Sequence, residues 1–222
     1  MTLGDLIAKF RIDADDASLP PKWSDAALSG WFAEAEAEAA IRGRLLHESV
    51  SQAVCEIAVT AGVSTYPLHA ALHEIDYIAF KPTGESSRAP LRLISREELD
   101  RILPAWREDA GVVEFAIQSD TSLRIAPMPE TGGTIYLEGY RTPLVQMADA
   151  ADEPEIHQSH HAKLIHWVLH RAFSVPDSEM IDQNRAAIAE AEFTRYFGMR
   201  PDADMRRSST HDTPPHNQAH WV

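Results

Sequence analysis

The sequence predicts an α+β protein. A helical bundle is formed by N- and C-terminal helices, an antiparallel β domain is inserted between them, and an extended C-terminal tail follows. Three observations predict this. Apolar residues recur at steps of three and four at both ends of the chain, the period drops to two through the middle, and no period survives past Gly198. The boundaries that result are 1–49 and 150–198 for the two parts of the bundle, 50–149 for the β domain and 199–222 for the tail.

Leu3, Leu6, Ile7 and Phe10 mark a short amphipathic helix with Thr2 as its cap. An acidic loop from Asp13 closes at Pro20-Pro21. Ser24 then caps a longer helix, with Asp25 in the first turn, where a negative charge suits the positive helix end. Leu28, Trp31, Phe32, Ala35 and Ala39 form its apolar stripe. Glu34, Glu36 and Glu38 alternate, which spreads them around the helix and reads as a solvated face.

Near residue 50 the period changes. Cys55, Ile57 and Val59 alternate with Glu56, Ala58 and Thr60, which predicts a strand with one buried face that stops at Ala61-Gly62. Ile75, Tyr77 and Ala79 repeat the pattern, and Lys81-Pro82-Thr83-Gly84 reads as a turn. Leu91 and Leu93 suggest a further strand. Ser95 and Glu98 have the spacing of a capping box for a short helix that stops at Pro104. Val113, Phe115 and Ile117 alternate, then Leu123 and Ile125, then Ile135 and Leu137, with turns at 119–122 and 131–133.

An acidic linker, ADAADEPE, leads to two apolar helical segments between His157 and Gly198. In the first, Ile165, Val168, Leu169, Ala172 and Phe173 lie on one stripe. Pro176 breaks the helix, and Asp177 and Ser178 offer a new cap. The second ends in Phe193, Tyr196, Phe197 and Gly198, a residue suited to the left-handed position after a helix. One helical hairpin cannot bury both of its apolar faces, so the N-terminal helices are expected to complete the bundle.

The bulk numbers narrow the function. A hydrophobic fraction of 44% is ordinary for a globular protein, and no run of about 18 apolar residues is present to span a membrane. Acids stand near the N-terminus where a secretory signal carries bases. The single cysteine, Cys55, excludes an internal disulfide and reads as a buried thiol in mid-strand. The formal net charge of −14 repels nucleic acid at long range and argues against sequence-specific DNA binding.

No stretch carries an enzyme's signature. Five of the 11 histidines fall between His157 and His170, and His166 and His170 share a helix face. Two imidazoles at that spacing can share a metal ion, but Trp-Val-Leu stands between them where a zinc protease has its glutamate, and Lys163 is close by. Phosphate loops, dinucleotide loops and nucleophile elbows are absent from the sequence. No cofactor is expected. The tail holds Arg206, Arg207 and Trp221, residue types that anchor interfaces, in a segment too polar to build its own core.

Several phrases resemble the adaptor proteins of tailed bacteriophages. They are TLGDLIAKFRIDADD, WSDAALSGWFAEAEAEAAIRGRLL, CEIAVTAGVSTYPLHAALHEIDYIAF, RLISREELDRILPAW, LRIAPMPETGGTIYLEGYRTPL and EFTRYFGMRPDADMRR. The resemblance implies a structural virion protein in the neck between capsid and tail. It implies a ring of a dozen subunits beneath the portal protein, around a channel for genomic DNA, with tail or neck proteins below. It also implies a C-terminal segment that docks onto the portal, which makes Arg200, Arg206, Arg207 and Trp221 the candidate portal or subunit contacts. The long β insertion departs from the smallest adaptors and is similar to the larger tail-tube gatekeepers of short-tailed phages. An acidic wall lets DNA slide, and a ring needs two unlike faces per subunit, for which Trp31, Trp106 and Trp167 are candidates. Two other readings stand beside this one: a tail-tube or tail-terminator protein, and a metal-dependent enzyme built on the histidine-rich helix.

Overall fold

A computed structural model describes residues 1–175 and 181–201. In chain order the elements are α1 (Leu3–Asp13), α2 (Asp25–Gly43), β1 (His47–Glu48), α3 (Gln52–Cys55), β2 (Glu56–Val59), β3 (Thr65–Pro67) and β4 (Leu72–Pro82). Then come β5 (Ala89–Pro90), β6 (Arg92–Leu93), α4 (Arg96–Ile102), β7 (Ala110–Gly111), β8 (Phe115–Gln118), β9 (Ser122–Ala126), β10 (Met128–Pro129) and β11 (Gly133–Arg141). A 3-10 turn over Gln158–Lys163 precedes α5 (Leu164–Ser174), and α6 (Gln183–Phe197) follows. The protein is mixed α+β and divides into two compact units, one of Met1–Leu46 with Arg141–Arg200, the other containing His47–Tyr140.

The first unit is helical. Thr2 and Asp5 close a reciprocal capping box on α1, and the Ser24 hydroxyl accepts from the Ala27 amide at the start of α2. Leu6, Phe10, Leu28, Phe32, Val168, Phe173 and Phe193 share one core. Trp23 wedges edge-on between Phe10 and Phe173, with centroids 5.6 Å away on each side. Each such ring withdrawn from water contributes about 1.5–3 kcal/mol. The second helix of the pair starts at Gln183 and is capped by Asp182, whose carboxylate accepts from the Asn184 and Arg185 amides. The expected break and cap at 176–178 lie outside the described residues. The acidic stretch before α5 is more than a linker. The Leu3 and Gly4 amides donate to the Asp152 and Ala150 carbonyls, so this stretch is fastened to the start of α1.

The second unit carries the strands. One sheet runs β1-β11-β4-β5, with β2 also on β11. β1 and β2 pair with successive stretches of the same edge of β11, His47 opposite Tyr140 and Ile57 opposite Ile135, and α3 fills the step between them. Cys55 therefore ends a helical turn and is not in mid-strand, although it is buried as expected. Tyr77 also departs from its expected place. It is exposed, while Ile78, Ala79 and Phe80 are buried in succession on β4, so the inward phase changes along that strand. A second sheet runs β3-β9-β8-β6. Its β6–β8 pairing is parallel, as is that of β7 with β10, so the domain is not purely antiparallel. The reason is the α4 crossover between β6 and β8, which returns the chain in the same direction. The expected Ser95 cap holds, its hydroxyl accepting from the Glu98 amide.

Candidate functional site

The candidate contact residues divide at Pro201. Arg206, Arg207 and Trp221 lie outside the described residues. Arg200 is described, and it joins a group of tied charges on the helical unit.

Glu38 and Arg42 stand one turn apart on α2. The Arg42 Nε donates to Glu38 Oε2 at 3.0 Å and its Nη1 donates to Thr194 Oγ1 on α6 at 3.1 Å. The guanidinium lies 4.9 Å from the Trp167 ring centroid on α5 and 5.2 Å from that of Phe193 on α6. A planar, weakly hydrated cation tolerates such aromatic faces where an ammonium would not. Both side chains are nearly enclosed, Glu38 at 10% and Arg42 at 8% exposure. Burying the pair is tolerable because each charge is matched and Thr194 gives the guanidinium a second acceptor. The other oxygen of Glu38, Oε1, faces Arg200 Nη1 at 2.9 Å, and Arg200 is 60% exposed. Gly198 makes this contact reachable. Its φ of +92° turns the chain at the end of α6, in a region that residues with a Cβ enter at a cost.

The neighbouring carboxylate, Glu36, corrects the solvated-face expectation most sharply. It is 1% exposed, and its Oε1 accepts from the amides of both Glu155 and Ile156. Burial pushes its carboxyl above the usual range; the two amides pull against that shift, and the nearby Glu155 charge adds to it. Glu155 in turn pairs with Arg141 and accepts from the Leu144 amide at 3.0 Å. On α1, Arg11 pairs with the buried Asp16 and with Asp25, and donates to the Trp23 carbonyl at 3.1 Å. Three acidic side chains that hydropathy assigns to water, Asp16, Glu36 and Glu38, thus brace loops and helices from inside. The one available signal was proximity in sequence to apolar stripe positions, because Glu36 and Glu38 flank Ala35 and Ala39.

The described histidines have other partners. Among the described residues no group of three or more His, Cys, Asp and Glu side chains is placed to hold one. His161 is buried with its Nε2 on the Ile156 carbonyl at 2.9 Å. His170 Nδ1 lies 3.2 Å from the Ala186 carbonyl. His160 contacts the Tyr196 hydroxyl at 3.2 Å and packs beside Phe197. Burial lowers the His160 pKa, helped by His157 and His161, and burial with Lys163 lowers that of His166. Both shifts favour neutral rings.

Of the three tryptophans considered for a subunit face, Trp106 is excluded. It is 2% exposed, donates to Asp100 Oδ1 at 2.7 Å and is flanked by the guanidiniums of Arg107 and Arg124 at 4.4 and 4.5 Å. Trp167 is buried in the helical core beside Phe193, and Trp31 is half-buried. No helix among the described residues is long and apolar enough to cross a membrane.

No curated protein matches the chain. A family model nonetheless matches it over nearly its whole length. The SU10 adaptor protein model matches residues 1–216, and the chain belongs to that family of phage head-tail adaptors.

Proposed function

We propose that this phage structural adaptor protein sits in the virion neck as a ring of twelve subunits beneath the portal protein, joins the DNA-filled capsid to the tail or neck proteins, and lines a channel for the genome. The observation that carries this reading is the family match over 1–216. The net charge of −14 supports it, because a wall without strong phosphate anchors lets DNA slide. In this reading the helices of 1–49 and 150–198 act as one bundle into which the β domain of 50–149 is inserted. Residues 199–222 form the docking segment, with Arg200, Arg206, Arg207 and Trp221 at the portal or at a neighbouring subunit.

Co-sedimentation with the portal tests the proposal. Full-length protein is expected to pellet with portal rings, and protein ending at Arg200 is expected to fold but stay in the supernatant. Arg206→Glu with Arg207→Glu should weaken the association, and the loss should shrink as salt screens the ionic part. Full occupancy by the truncated protein would overturn the docking role. Association with tail-tube protein and none with portal would replace the adaptor reading with a tail one.

A further inference from the structure

We infer that Glu38 and Arg200 form a latch that ties the start of the C-terminal segment to the helical unit and so sets where that segment departs. The inference rests on the adaptor reading only for what the latch serves; the contact itself is a property of the helical unit. Glu38 is a prepared acceptor. Arg42 holds one of its oxygens at 3.0 Å, and Arg42 is itself fixed by Thr194 and by the faces of Trp167 and Phe193. The second oxygen is thereby aimed at a set position, so closing the contact immobilises Arg200 alone and not two free side chains. The chain helps from its own side. α6 ends at Phe197, Gly198 turns it with a positive φ, and Arg200 Nη1 meets Glu38 Oε1 at 2.9 Å. The group holds two arginines for one carboxylate, so Arg200 can leave Glu38 without stranding a buried charge, because Arg42 remains to pair it. The enclosed half of the group is permanent, and the exposed half is the part that opens.

The test uses full-length protein and an endoprotease that cuts before aspartate. Asp202 and Asp204 lie just beyond the latch, and Asp212 lies further along as an internal reference. Arg200→Gln should raise cutting at Asp202 and Asp204 relative to Asp212 by about threefold, the factor that a half-exposed ion pair carries. The thermal midpoint should stay unchanged, because Glu38 keeps Arg42. Arg200→Lys should restore most of the protection, since the contact is a single point of charge and not a two-pronged fork. Salt at about 0.5 M should raise the ratio in wild type and leave Arg200→Gln almost unmoved. An equal ratio in wild type and Arg200→Gln overturns the latch. A ratio that rises together with a fall in thermal midpoint also overturns it, because general unfolding would then be the cause. Portal co-sedimentation is read separately. Wild type that fails to bind the portal overturns the adaptor reading, while the cutting ratio still decides the latch. Arg200→Gln that binds the portal as tightly as wild type overturns the latch's part in docking.

Discussion

Replacing Glu36 by alanine and, separately, by glutamine separates what its oxygen does from what its charge does. Its Oε1 takes both the Glu155 and the Ile156 amides. Alanine removes both bonds and leaves the Ile156 N–H, in a buried stretch, without an acceptor. Hydrogen bonds to a charged acceptor are each worth about 1.5–3 kcal/mol, and the loss is partly offset because an expensive buried carboxylate also disappears. A net destabilisation of about 2 kcal/mol follows, which lowers the melting temperature of a unit of this size by about 10 °C. Glutamine keeps a carbonyl oxygen for both amides and carries no charge, so at pH 7 its stability should stay within about 1 kcal/mol of wild type. The pH dependence has a definite sign. The folded carboxyl has a raised pKa, so over the intervening range the folded chain holds a proton that the unfolded chain has released. That contribution is fully present below the unfolded pKa and is lost as pH rises through the folded one. Wild type should therefore gain on Glu36→Gln as pH falls from neutral towards the ordinary carboxylate range. Calorimetric melts of the three proteins across that range are the assay. Glutamine falling as far as alanine would show that the charge, not the acceptor, holds the 155–156 stretch. A difference between wild type and glutamine that is flat with pH would refute the burial argument.

Other perturbations read other parts of the fold. Phe193→Ala should cost about 3–5 kcal/mol in chemical denaturation, because the fully buried ring packs on Trp167 and Phe197 and supports Arg42. Gly139→Ala should destabilise the β unit by about 3 kcal/mol or prevent its folding, since a Cβ there would overlap the Glu74 carbonyl and come within 3.0 Å of Ile75 Cα; soluble expression with an unchanged near-UV spectrum would contradict this. Ser24→Ala should cost about 1 kcal/mol through loss of the α2 cap, measurable as a shift in urea midpoint at constant slope. Light scattering at low micromolar concentration should find the isolated protein mainly monomeric, because like-charged subunits repel until an organising surface holds them; a stable ring without the portal would contradict that.

Local chemistry was legible in the chain itself. Thr2, Ser24 and Ser95 cap the helices they precede because a cap needs only a hydroxyl and amides within three residues. The switch of period near residue 50 and the stripe through Ile165, Val168, Ala172 and Phe173 follow from side-chain direction along one element, although Leu169, expected on that stripe, is only partly buried. The family, too, was readable from phrases and their order. Tertiary structure alone decided which charges are inside. Glu36 is buried because amides 119 and 120 residues away need an acceptor, and Arg42 is buried because Thr194, 152 residues on, and two aromatic rings receive it. Periodicity reports which face an element turns inward, but the cost of burying a charge depends on what stands opposite, and that is set by distant segments. The parallel return of β8 beside β6 through the α4 crossover and the step of Cys55 into a helical turn between β1 and β2 are likewise settled by pairing between separate segments.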